Sequence, residues 1–181
     1  FQAMPVAETP RFLARLATQD GTSALALRFL ILTAARSGEV RGAEWSEIDF
    51  AQAIWTIPAS RMKAKRQHRV PLSGAALKVL QQARDRLVAR PTSLVFSSLK
   101  GGLLSDMSLT AVMRRMNVDA VPHGFRSTFR DWVGEFTQYP SDLAEMALAH
   151  VLPNKTEAAY RRGDALEKRR GMMDAWATHC L

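Results

Sequence analysis

The chain has 181 residues, 47% of them hydrophobic, which is enough for one domain with a sizeable core. No apolar run approaches the roughly 18 residues of a membrane span, no basic stretch followed by an apolar one marks a secretory leader, and the lone cysteine, Cys180, excludes an internal disulfide or a multi-cysteine metal site. Lys plus Arg outnumber Asp plus Glu by 25 to 17, giving a net charge of +8, a pI near 10.4 and an expected polyanionic partner.

In chain order, Thr9-Pro10 reads as a capped helix start carrying Phe12, Leu13 and Leu16 on one face. A second helix is predicted over Thr22 to Ala35, apolar nearly all round and therefore central, with a break at Ser37-Gly38. Residues 53–57 and 68–72 read as short strands, confined to edges or ends by Pro58 and Pro71. Ser73 caps a helix running to about Val88, and residues 91–104 are mostly loop around Leu94-Val95-Phe96. Further helices are predicted over 105–117, 122–136, 141–149, 154–162 and 164–177. The expected class is α+β: a mostly helical single domain with a small antiparallel sheet of about three strands. The start on Phe1 rather than Met fits a piece of a longer protein.

Four places carry candidate chemistry. His123 and Arg126 lie three apart at a helix start after Pro122, where they share a face near free N–H groups suited to an anion. Arg36 follows the buried helix at its break, with Glu39 three residues on to orient it or merely to pair with it. Arg61, Lys63 and Lys65 alternate onto one face if residues 61–66 are extended, forming a basic finger with Arg66 or a solvated hairpin tip. Tyr160, one of two tyrosines, is flanked by Arg161 and Arg162 and follows His150 with nine residues between.

Each of these is weak alone, but the ordered set Arg36, Lys63, His123, Arg126, His150 and Tyr160 resembles the signature of the tyrosine recombinases, the phage integrase family. The surrounding text is similar too: TAARSGEVRGAEWSEIDF (33–50), IWTIPASRMKAKRQHRVPLS (54–73), PHGFRSTFRDW (122–132), LAHVLPNKTEAAYRR (148–162) and MMDAWA (172–177) resemble integrases of prophages, satellite phages and genomic islands. The Arg36 box departs from many members, reading Ala34-Ala35-Arg36 where they place a glycine turn.

The resemblance implies the DNA breaking-rejoining fold and strand exchange through a 3′-phosphotyrosyl link formed by Tyr160, integrating or excising a mobile element. Arg36 and Arg126 would clamp the phosphate, Lys63 would be the general acid, His123 the proton acceptor and His150 a hydrogen-bond donor, with Glu39 in support. No metal or cofactor is expected. Arg61, Lys65, Arg66, Arg130, Arg161 and Arg162 are expected to contact double-stranded DNA. Residues 1–163 would form the catalytic core and 164–181 a helical tail, packed on its own domain or docked on a neighbouring protomer. N-terminal DNA-binding domains of the full-length protein would be absent, and the assembly would be a monomer in solution and a homotetramer on DNA, in the bacterial cytoplasm. Rival expectations are a catalytically silent DNA-binding or regulatory module and a type IB topoisomerase-like relaxing enzyme.

Overall fold

A computed structural model describes residues 2–88, 91–151 and 163–181. Its centre is helix α2 (Thr22–Thr33), in which every residue from Ala24 to Thr33 except Arg28 is buried. A helix without a polar face must be surrounded, and it is. Helices α1 (Thr9–Leu16), α4 (Gly74–Arg86), α5 (Ser108–Arg115) and α8 (Leu166–Cys180) all pack against it.

Strands β1 (Ile48–Asp49), β2 (Ile54–Ile57) and β3 (His68–Pro71) form one antiparallel sheet in that order, with Trp55 opposite Val70 and Ile57 opposite His68. Pro71 ends an edge strand and Pro58 follows β2, where a missing N–H breaks no ladder. Helices α3 (Ser37–Arg41), α6 (Gly124–Phe136) and α7 (Ser141–Ala147) complete the described elements. The architecture is a mostly helical α+β domain with a small sheet.

Several expected boundaries shift for local reasons. Thr9 does not cap α1: a 3-10 turn over Val6–Glu8 precedes the helix, and the Thr9 hydroxyl donates to Pro5 O at 3.3 Å. The break after α2 lies at Ala34, which adopts φ 54°, and not at Ser37-Gly38, where α3 begins. Helix α5 is shorter than expected because a turn from Ser105 O to Ser108 N precedes it. The expected helix 154–162 lies outside the described residues.

The tail helix α8 lies against the core of its own chain. Met172, Met173 and Trp176 are buried, and Trp176 Nε1 donates to Ile31 O at 2.8 Å. Ahead of α8, Arg69 grips Asp164 through two bonds of 2.7 Å, while the buried Arg169 donates to Asp164 O and Arg69 O. These bonds fasten the start of the tail to β3.

Candidate active site

The site grows from helix ends. Helix α2 stops because Ala34 turns left-handed, and the carbonyls there lose intrahelical partners. Two side chains from distant elements satisfy them: Trp176 takes Ile31 O, and Arg126 Nη1 donates to Ala34 O at 2.6 Å. The chain then runs through Ala35 to Arg36, which emerges as the residue capping α3. Glu39, buried on α3, accepts from the Arg36 backbone N–H and from Arg36 Nη1, both at 2.9 Å. One carboxylate therefore fixes both the turn and the guanidinium.

Arg126 comes from the first turn of α6, which begins two residues later than Pro122 suggested, so that His123 stands at the cap. Packing forces its position: Gly124 lies so close to the Gln2 carbonyl and the Ala3 Cα that a side chain there would collide with backbone. Thr128 donates to Met4 O at 2.7 Å on the same contact. Arg126 is 5% exposed and also donates through Nη2 to Leu148 O at 2.6 Å and to His150 Nε2 at 3.2 Å. Burial, and then the Arg36 charge, push its guanidinium down to about 10, which still leaves it cationic at neutral pH.

His150 follows α7, whose end is a Schellman motif: His150 N bonds Glu145 O, Ala149 N bonds Met146 O, and Ala149 takes φ 53°. The ring Nδ1 meets Glu145 Oε2 at 2.6 Å. With a carboxylate acceptor at Nδ1 and an Arg126 donor facing Nε2, the neutral ring carries its proton on Nδ1. His123 is exposed, yet partial desolvation, followed by the charges of Arg126 and Arg36, holds its imidazole below the ordinary histidine range.

Arg36, Lys63, Ala64, Glu145, Ala149, His150 and Val151 line one open cleft of about 580 Å³. Of the expected catalytic residues, Arg36, Lys63 and His150 line this cleft, Arg126 is bonded to His150, and His123 lies within electrostatic reach of Arg126 and Arg36. Tyr160, like Arg161 and Arg162, lies outside the described residues.

The expected basic finger takes a different form. Residues Ala59–Arg61 form a 3-10 turn and Lys65 has φ 56°, so Arg61, Lys63 and Lys65 do not alternate along a strand. Arg61 turns inward to Glu47, at 2.6 and 3.0 Å, and to Glu39 O at 3.2 Å, so the structure gives it a bracing position where a DNA contact was expected. Gly42 permits this, because any side chain there would meet Arg61 Nη1 at 2.5 Å. Lys63, Lys65 and Arg66 are exposed, as is Arg130, which pairs with Glu145 at 3.0 Å.

Sequence reasoning missed two neighbours of the site. His68 on β3 is driven down to about 4 by burial, then by Arg169, while Glu39 and an Ala147 carbonyl partly oppose this. Glu145 has no motif of its own. It meets His150 only because α7 ends where it does.

The description "Phage integrase family" matches residues 2–167. The chain belongs to the phage integrase family. It is 33% identical to the integrase of Enterobacteria phage P4 over 200 aligned residues, covering 99% of this chain and 45% of that protein. The chain spans less than half the length of the curated integrases it matches. In fold, this integrase-family chain resembles the XerH site-specific recombinase bound to its difH substrate, with a TM-score of 0.67 and 14% identity over 90% of this chain and 50% of that one. It also resembles the lambda integrase catalytic core, with a TM-score of 0.61 and 14% identity over 86% and 95% of the two chains.

Proposed function

We propose that the chain is the catalytic domain of a site-specific DNA recombinase that cuts and rejoins strands through a 3′-phosphotyrosyl intermediate. One observation carries the reading: Arg36, Lys63 and His150 line a single cleft, and Arg126 is bonded to His150. Arg36 and Arg126 clamp the non-bridging oxygens of the scissile phosphate and neutralise charge that grows in the transition state. Three donor contacts hold Arg126 in place, and a guanidinium has five N–H groups, so donors remain for phosphate.

Tyr160 attacks phosphorus in line and displaces the 5′-oxygen. A phenol near pKa 10 needs a proton acceptor and nearby positive charge. His123 is the acceptor, and its lowered pKa keeps the ring neutral for that task. Lys63, exposed at the cleft rim, protonates the leaving oxygen, and His150 donates to the phosphate. The bond energy stays in the phosphotyrosine, so a 5′-hydroxyl from another duplex reverses the step.

Double-stranded DNA is the partner, with Lys65, Arg66, Arg130, Arg161 and Arg162 on its backbone. Exchange between two duplexes requires four such sites, hence a homotetramer on DNA. A lambda integrase tetramer bound to a Holliday junction shares the fold, with a TM-score of 0.62. The cytoplasm is where that DNA would be met.

The test is a nicked suicide duplex built from the attachment-site junctions. Wild type forms a covalent adduct, Tyr160→Phe forms none, and Tyr139→Phe still forms it. An adduct on the Tyr160→Phe protein overturns the assignment.

A further inference from the structure

Glu145 has more contacts with the cleft than the roles above require. Its side chain is 19% exposed and stands behind His150. Oε2 accepts the Nδ1–H at 2.6 Å, while the Glu145 carbonyl accepts the His150 backbone N–H at 2.9 Å. Backbone and side chain of one residue thus hold both ends of the histidine, across the left-handed turn at Ala149.

The other oxygen, Oε1, is buried and has no hydrogen bond among the described residues. Arg130 Nε lies 3.0 Å away as an ion-pair partner, off the line a hydrogen bond needs. A half-buried carboxylate whose second oxygen has only an off-line ion pair gains little stability from that oxygen. It is better explained by what its first oxygen does to the ring.

We infer that Glu145 is a positioning residue, which binds Nδ1–H of His150 and thereby commits Nε2 to the phosphate side of the cleft. The inference rests on the recombinase reading for its purpose, though not for its geometry. With Nδ1 occupied, Nε2 is the one ring nitrogen left to face substrate, and it takes an Arg126 donor. When Nε2 gains a proton it becomes a donor to a phosphate oxygen, and the carboxylate lies opposite the charge so created. A ring freed from Glu145 can flip or change tautomer, and Nε2 loses its assigned direction. The logic is that of outer-shell carboxylates behind metal-bound histidines, whose loss costs about 10- to 100-fold.

Two readouts test this on the protein as it stands. Long-range ¹⁵N–¹H correlation of its histidines reports the His150 tautomer without DNA. Wild type and Glu145→Gln, whose amide oxygen also accepts, should carry Nδ1–H, whereas Glu145→Ala should not. Adduct formation on the suicide duplex should fall about 10- to 100-fold in Glu145→Ala and recover most of the way in Glu145→Gln, with DNA affinity unchanged within about twofold. A Glu145→Ala protein with the wild-type tautomer, or with wild-type cleavage, overturns the inference. So does a Glu145→Gln protein as impaired as Glu145→Ala. A wild-type protein that forms no adduct overturns the recombinase reading instead, while the tautomer spectrum still judges Glu145.

Discussion

The helix-end cluster and the loop carrying Lys63 contribute cations to the same cleft by opposite means. Arg126 is buried, rests on two backbone carbonyls and a histidine, and reaches the site from the first turn of a core helix. Arg36 is braced by a buried carboxylate. Lys63 stands on an exposed turn whose fixed points are the buried Met62 and the inward Arg61. The helix-end cations are preorganised by the core, so on the proposed reading phosphate would meet charges already in place. The loop cation is exposed, which would suit the proposed proton donor, acting at one atom and one moment.

The sharpest way to break this contrast is at Arg126. Replacing it by Ala should cost cleavage about 10²–10³-fold and also about 3 kcal/mol of stability, because the Ala34 and Leu148 carbonyls lose their donor inside the protein. Suicide-substrate kinetics and urea denaturation read the two losses separately. Lys63→Ala should lower cleavage about 10²-fold and leave the urea midpoint unmoved, as befits an exposed loop cation. Lys65→Ala should change cleavage only severalfold, and the reverse ranking would transfer the acid role to Lys65.

The histidines predict two pH dependences. As the proposed proton acceptor His123 must be neutral, and its pKa lies below the ordinary value of about 6.5. Cleavage should therefore hold down to pH values where an unperturbed histidine would already be protonated, then fall, and His123→Asn should remove that acid limb. His68 bears on stability. Its folded pKa of about 4 lies below the unfolded value, so between about 6.5 and 4 the unfolded chain binds a proton the folded chain refuses. Stability is intact above that window and declines through it as pH falls, by up to about 1.4 kcal/mol per unit. A His68→Gln protein with the same acid slope as wild type would exclude this residue as the source.

Much of the fold was legible in the sequence because its signals are local. The all-apolar run of α2, the prolines bounding the strands and Ser73, whose hydroxyl accepts from Ala76 N, each act within a few residues. The proposed site set rests on resemblance. What stayed hidden depends on long-range closure. Nothing near Arg61 announces that Gly42 leaves room for it to fold inward, and nothing near His68 marks it as half-buried within reach of Arg169 and Glu39. Glu145 meets His150 through a helix terminus that sequence places only within a few residues.

The smallest expected effect concerns two alanines that deliver the site. Ala34 and Ala149 both adopt left-handed backbone, at φ 54° and 53°, two residues ahead of Arg36 and one ahead of His150, where glycine is the unstrained choice. The strain is similar at the two turns, but the packing is not. Ala34 is 1% exposed, so its methyl is fully buried, while Ala149 is only partly covered. Ala34→Gly relieves roughly 1 kcal/mol of strain but forfeits roughly 0.8 kcal/mol of methyl burial, and should come out near neutral. Ala149→Gly keeps most of its gain and should stabilise the protein by about 0.5–1 kcal/mol, read as a higher urea midpoint at unchanged slope. Equal shifts at both positions would mean that backbone strain alone governs these turns. A cleavage rate lowered by Ala149→Gly would mean that the alanine also stiffens the approach to His150.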